Sequence, residues 1–188
     1  AAWMLEQEAR ALLARLARVK PFALHETMVP AAAVSPAAQM GIERFLAAGR
    51  RELRDRVEDY LRWLQSRDGR EASAAEGQRR LAFLRLRFNV TLSHFDLFSD
   101  VLTQRSEHET GVWLSGLDAA AADSLELPPY YEAPPVICYL DRGVGAAIRR
   151  ARTRLPGGGS NPVAIVRVPR ERMVGLSLIH ISEPTRLL

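Results

Sequence analysis

Apolar residues recur every three or four positions through most of residues 1–127, which is the spacing of amphipathic helices. The pattern predicts helices over 3–19, from Pro36 to about 68, over 74–104 and over 107–125. Ser35 suits the N-cap of the second helix, and Pro36 suits its first position because the missing N–H would be unbonded there anyway. Such helices are expected to pack as antiparallel neighbours in a bundle.

Two of these helices carry the clearest apolar stripes, over residues 42–64 and 81–102, with arginines and carboxylates on the opposite faces. A stripe of this width is typical of a helix that buries one side. The stripe members are Ile42, Phe45, Leu46, Leu53, Val57, Tyr60, Leu61 and Leu64 in the second helix, and Leu81, Leu84, Phe88, Leu92, Phe95, Phe98 and Leu102 in the third.

The hydrophobic period changes at Pro128-Pro129. Residues 136–140 and 163–168 are short runs rich in β-forming residues and predict two strands, with a short basic helix over 144–154 between them. The fold class is therefore predicted to be α+β, with a helical region over 1–127 and an incomplete β-α-β piece over 134–175. Two strands do not make a stable sheet, so we expect further strands outside this sequence.

Composition and charge narrow the function only slightly. The net charge is +4, and of the 26 basic residues only Lys20 is lysine, with acidic residues interspersed among the arginines. Nucleic-acid binding is not favoured, because a basic footprint normally clusters on one face. The sequence shows no membrane span and no signal peptide, which favours a cytoplasmic location.

Cys138 is the single cysteine, so no internal disulfide can form. It lies within an apolar run and is expected to behave as a small buried hydrophobic residue. Gly157-Gly158-Gly159-Ser160 follows a predicted helix and is not followed by lysine, so it predicts a connector and not a phosphate-binding loop. The arginines on the predicted basic helix are expected to lie on its solvated face: Arg149, Arg150, Arg152 and Arg154.

The densest set of potential metal ligands is His94, Asp96, Asp100, Glu107, His108 and Glu109. His94 and Asp96 point in nearly opposite directions on a helix, so they cannot share an ion. Ser106 and Glu109 fit a capping box at the start of the fourth helix, which explains that end of the set better than metal binding does. With His25 in a linker, no two histidines stand at i,i+4, and we expect no catalytic, cofactor-binding or metal-binding residue in this chain.

Three segments are similar to a group of bacterial proteins: residues 87–109, 138–158 and 166–175. The most specific runs are Phe95-Asp96-Leu97-Phe98-Ser99-Asp100-Val101, Cys138-Tyr139-Leu140-Asp141-Arg142-Gly143 and Val166-Arg167-Val168-Pro169-Arg170. The resemblance implies that a helix bearing His-Glu-x-x-His follows soon after Gly175, as in zincin-type metalloproteins. In that arrangement two histidines one helical turn apart bind zinc, and the glutamate between them activates water.

The last stretch, Leu176–Arg186, resembles the conceptual translation of a transposase sequencing adapter. We therefore expect 176–188 to be a non-native tail and the preceding chain to be cut before its metal-binding helix. The leading hypothesis is a non-catalytic front fragment of a zinc-dependent hydrolase resembling a metallopeptidase, itself inactive, with zinc bound only by the full-length protein. The alternative is a helical module that binds a protein partner through the stripe on 42–64 or 81–102.

Overall fold

The computed structural model describes residues 2–19, 28–130, 132–142, 145–155 and 159–170. These residues form a mainly helical α+β fold, which confirms the predicted fold class. The helices are α1 (Ala2–Arg18), a 3₁₀-helix (Pro30–Ala32), α2 (Pro36–Gln65), α3 (Arg67–Glu71), α4 (Ala74–Thr103) and α5 (His108–Leu125). The strands are β1 (Val136–Asp141), β2 (Ala147–Arg149) and β3 (Ala164–Pro169). The tail 176–188 lies outside the described residues.

The four helices predicted from apolar spacing are confirmed as α1, α2, α4 and α5. The Ser35 side chain accepts a hydrogen bond from the Ala38 N–H at 3.2 Å, so it caps α2 as predicted. The predicted cap of α5 is wrong. The Ser106 hydroxyl donates to the Thr103 carbonyl, and Glu107 precedes the helix without a side-chain cap.

All of α1 together with residues 43–98 forms most of one compact unit, called here the helical unit. The apolar stripes of α2 and α4 supply much of its core, so they bury the helices of this chain against one another. The one hydroxyl in that core belongs to Tyr60 and donates to the Gly77 carbonyl at 2.9 Å. The buried core residues are Leu5, Ala9, Leu12, Leu16, Leu53, Val57, Tyr60, Leu64, Leu81, Leu84 and Phe88.

Residues 28–42, 99–130, 132–142, 145–155 and 160–170 form most of a second compact unit, called here the sheet unit. Its sheet has the order β1-β3-β2, with β3 parallel to β1 and antiparallel to β2. β1 and β3 are almost wholly buried, as expected for strands covered on both faces, whereas all three residues of β2 are exposed. β2 is therefore a short exposed edge strand.

The helix predicted over 144–154 is wrong, so the predicted strand-helix-strand piece is a strand-strand-strand piece. Residues 147–149 pair with 165–167 as β2, and Arg152, with φ of 60°, lies in the turn that follows. Alanine and arginine favour helices locally, but their propensities are small and tertiary pairing overrides them. A third strand is therefore present within this sequence, where only two were predicted.

Helix α5 packs on β1 and on the 3₁₀-helix. Gly111 permits this approach, because a Cβ atom there would lie 2.6 Å from the Ala32 Cβ and 3.2 Å from the Arg105 carbonyl oxygen. The apolar side chains that pack between α5 and the sheet include Leu114, Cys138 and Val166. One face of the sheet is thus covered by α5, and the loop before α5 reaches the edge of β1.

Candidate functional site

The principal candidate site is a buried polar cluster in the sheet unit. Arg105 follows the end of α4, and its side chain is 0% exposed, while Asp118 on α5 is 9% exposed. The Arg105 Nη2 atom donates to Asp118 Oδ1 at 3.1 Å and lies 2.9 Å from Asp118 Oδ2. The two side chains therefore form a buried ion pair.

Both members of the ion pair also bind the backbone of β1. The Arg105 Nη2 atom donates to the Cys138 carbonyl at 2.8 Å, and the Cys138 N–H donates to Asp118 Oδ1 at 2.6 Å. Next along the strand, the Gln104 amide donates to the Leu140 carbonyl and accepts from the Leu140 N–H, each at 2.8 Å. The cluster thus holds one strand through four hydrogen bonds from three side chains.

Electrostatics at the cluster are dominated by burial. Burial raises the pKa of the Asp118 carboxyl, and the charge of Arg105 opposes that shift. Burial, reinforced by the negative charge of Asp118, also raises the pKa of the Cys138 thiol, so the thiol stays protonated and is a poor nucleophile. Cys138 is buried and free, as predicted, and the cluster orders backbone without presenting a reactive group.

The candidate residues predicted from the sequence did not include Arg105, Gln104 or Asp118. One signal was available for Asp118, because it follows Gly111 by seven residues and Leu114 by four and so lies on the same buried face of α5. A carboxylate on the buried face of a helix requires a partner. Nothing comparable distinguished Arg105 from the other arginines of this chain.

The residues proposed as potential metal ligands do not come together. His108 is exposed at the start of α5, and His94 is partly buried in the helical unit, where its ring lies 5.2 Å from that of Phe45. His25 lies outside the described residues. No three His, Cys, Asp or Glu side chains in the described ranges are close enough to hold a metal ion together.

The basic cluster is exposed, but it lies on β2 and the turn after it and not on a helix. All four arginines, Arg149, Arg150, Arg152 and Arg154, are exposed to solvent. Of the glycine-rich segment, Gly157 and Gly158 lie outside the described residues. Gly159 has a φ of 83°, a conformation that glycine adopts without strain.

A second candidate site is an open groove on the helical unit, with a volume of about 610 Å³. Its lining includes Trp63 and the half-exposed Phe83, and the Arg80 guanidinium lies 4.1 Å from the centre of a Trp63 ring. Glu76, also in the lining, binds both Arg79 and Arg80, and the hydrogen bond from Arg80 is the main reason why the pKa of Glu76 is lowered. The groove therefore combines aromatic side chains with paired charges.

Comparisons with known proteins add no assignment. No family model, no curated protein and no solved structure matches the chain. Within the described residues, none of the helices is both long enough and apolar enough to span a membrane.

Proposed function

We propose that this chain is the front portion of a zinc-dependent hydrolase and that the catalytic zinc is bound by residues that follow it in the full-length protein. The observation that carries the proposal is β3, a buried strand ending at Pro169, shortly before the point where the resemblance implies a His-Glu-x-x-His helix. In such proteins the metal-binding helix follows a strand of the sheet. The order of elements in the sheet unit is compatible with that arrangement.

The exposed edge of the same sheet supports a peptide as the substrate class. β2 pairs with β3 through Ala147, Ile148 and Arg149, and its residues are exposed. An edge strand offers main-chain donors and acceptors to an extended peptide, which can add as a further strand. A peptide held there would lie beside β2, one strand away from β3, whose chain leads towards the proposed metal-binding helix.

The described residues do not fit a zinc site of their own. A catalytic zinc site needs three converging protein ligands and an open fourth position, and the described His, Cys, Asp and Glu side chains form no such group. Both His-Glu pairs in the sequence, at His25 and His108, have valine where the second histidine of the pattern would stand. The proposal therefore assigns no catalytic step to a residue of this chain.

The decisive experiment begins with the intact reading frame from the same genome. We expect a His-Glu-x-x-His pattern soon after Val174, about one bound zinc per chain by elemental analysis, and cleavage of quenched fluorescent peptides. Replacing the glutamate of that pattern by glutamine should abolish cleavage while leaving zinc bound, because the glutamate activates water and does not bind the metal. An intact frame without the pattern, or one with the pattern that binds no zinc, would overturn the proposal.

The rival hypothesis, a helical module that binds a partner, is weakened for the two apolar stripes. Leu53, Val57, Leu81 and Leu84 are buried in the core of the helical unit, so a partner could not reach them without unfolding it. A frame without the metal-binding pattern would favour the rival, and the groove around Trp63 and Phe83 would then be the surface to test by substitution.

A further inference from the structure

The two edges of β1 are occupied in different ways. Successive residues of a strand direct their N–H and C=O groups to opposite edges. The Pro135 carbonyl accepts a hydrogen bond from the Ala164 N–H at 2.8 Å, so the odd-numbered residues face β3. Cys138 and Leu140 therefore direct their backbone groups to the other edge, where a further strand would normally pair.

Side chains occupy that outer edge in place of a strand. The N–H and C=O groups of Cys138 bind Asp118 and Arg105, and those of Leu140 bind Gln104. Beyond the end of β1, the Arg142 N–H donates to the Asp141 side chain at 2.7 Å. Three successive outward N–H groups are thus bonded to side-chain oxygens.

The energetics of the cluster do not suggest that it is there for stability. Arg105 is fully buried, yet its Nε and Nη1 atoms have no hydrogen-bond partner among the described residues. A buried ion pair with unsatisfied donors is often no more stabilising than apolar side chains of similar volume. Apolar side chains, however, could not bind the backbone of β1.

We propose that Gln104, Arg105 and Asp118 form an edge cap, which closes the outer edge of β1 and prevents a second copy of the chain from pairing there. An uncovered strand edge is a template for association between chains, and proteins commonly block it. The cap leaves β2 as the open edge of the described sheet. The proposal does not depend on the hydrolase assignment, because it concerns the opposite edge.

Gln104 gives the cleanest test, because it is partly buried, carries no charge and binds only Leu140 within the cap. In dilute Gln104→Leu protein, hydrogen exchange of the Leu140 amide should accelerate about three- to tenfold, the factor for losing one hydrogen bond. As the protein concentration rises, sedimentation should show more self-association than the unchanged chain shows. Hydrogen exchange of the Leu140 amide should then slow again, because the outer edges of β1 in two copies pair with each other. Gln78→Leu, which adds the same apolar side chain at an exposed position of α4, should do neither.

Gln104→Asn is a second variant, which keeps the amide on a side chain that is shorter by one methylene. The amide should then no longer reach both the N–H and the C=O group of Leu140. This variant should give the same two changes without adding apolar surface, and it replaces the leucine variant if that protein does not fold. Faster exchange without self-association in the asparagine variant would overturn the proposal, as would unchanged exchange of Leu140. Self-association equal to that of Gln78→Leu would overturn it as well, since apolar surface alone would then explain the effect.

Discussion

The helical unit and the sheet unit are held together by different kinds of interaction. The helical core is built from eleven buried residues, contributed by three helices, and only one of them has a polar atom. The sheet unit also has an apolar core, but its strand β1 is tied to α5 and to the end of α4 by Arg105, Asp118 and Gln104. Many interchangeable contacts specify the first unit, whereas three particular side chains position the outer strand of the second.

This difference has consequences for tolerance to substitution. Apolar cores accept changes that keep volume and pattern, because each contact contributes little by itself. A buried charged pair does not, since removing one partner leaves the other charged and unsatisfied. The surface ion pairs of the helical unit, such as Glu52 with Arg56 at 2.8 Å, differ from both the apolar core and the buried ion pair, because exposed pairs contribute little to stability.

The largest expected effect is in the sheet unit. Asp118→Ala should lower its free energy of unfolding by about 3–5 kcal/mol, because Arg105 would remain as an unpaired buried charge. The double variant Arg105→Met with Asp118→Leu should recover part of that loss, since it removes both charges and keeps the volume, but it leaves the Cys138 N–H and C=O groups without their side-chain partners. Urea unfolding followed by Trp113, which packs against the sheet core, measures both variants once Trp3 and Trp63 are replaced by phenylalanine.

The matched control in the helical unit is Leu81→Ala, which should cost about 2–5 kcal/mol through lost burial and the resulting cavity. Leu81 is surrounded by apolar residues, so its removal leaves no unpaired polar group. No second substitution at a partner is therefore expected to recover stability in this variant. If the double variant in the sheet unit is as unstable as Asp118→Ala alone, the comparison between the two units fails.

A smaller effect is expected where α5 approaches the 3₁₀-helix. Gly111→Ala should destabilise the sheet unit by about 1–3 kcal/mol, because the new methyl group would overlap Ala32. Gly116→Ala on the same helix meets no atom within 4 Å and should stabilise it by about 0.5–1 kcal/mol through backbone entropy. Thermal unfolding of the pair, read through Trp113, should therefore shift in opposite directions, and shifts of equal sign would contradict the packing described for Gly111.

The smallest expected effects are those of pH, and they should have opposite signs in the two units. The pKa of Asp118 is raised on folding, so its stabilising contribution is present below the unfolded-state pKa and is lost as pH rises through the folded-state pKa. The pKa of Glu76 is lowered, so its contribution is present above the unfolded-state pKa and is lost as pH falls through the folded-state pKa. Burial causes the first shift and hydrogen bonding to Arg80 causes the second.

These signs can be measured by comparing each unit with a variant that lacks the carboxylate. The free energy of unfolding of the sheet unit is measured from acid to neutral pH through the fluorescence of Trp113. The part of its pH dependence that comes from Asp118 should be absent in the Arg105→Met and Asp118→Leu double variant. Glu76→Gln should remove the opposite contribution, as reported by Trp63 in the groove. A sheet unit that gains stability from Asp118 as pH rises would show that Arg105, and not burial, controls this carboxyl.

The main helices were predictable because their signal is long and repeated. In α2 and α4 the apolar spacing persists over 30 residues each, so local exceptions such as Gly49 and Gly77 do not hide it. β2 was not predictable in this way. Its three residues, Ala147, Ile148 and Arg149, are too few to show an alternating pattern, and they form a strand only because β3 lies beside them.

The candidate site was less predictable than the fold. Asp118 could have been noticed on the buried face of α5, but Arg105 and Gln104 lie in a polar run after α4 that resembles any exposed loop. Their partners are the backbone groups of Cys138 and Leu140, 33 and 36 residues away. No periodicity connects residues at that separation, because side-chain bonds to backbone depend on three-dimensional position.

The sequence by itself determined the four long helices, the two buried strands, the α+β class and the burial of Cys138. In each case a local pattern of apolar and polar residues predicts which side chains are buried. Such patterns are informative because the burial of apolar surface is the main driving force of folding. Only the tertiary structure decided that 147–149 is a strand, that Arg105 is buried with Asp118, and that the outer edge of β1 is bound by side chains. Those outcomes depend on which groups meet across the fold, since a hydrogen bond or ion pair contributes only where both partners are brought together.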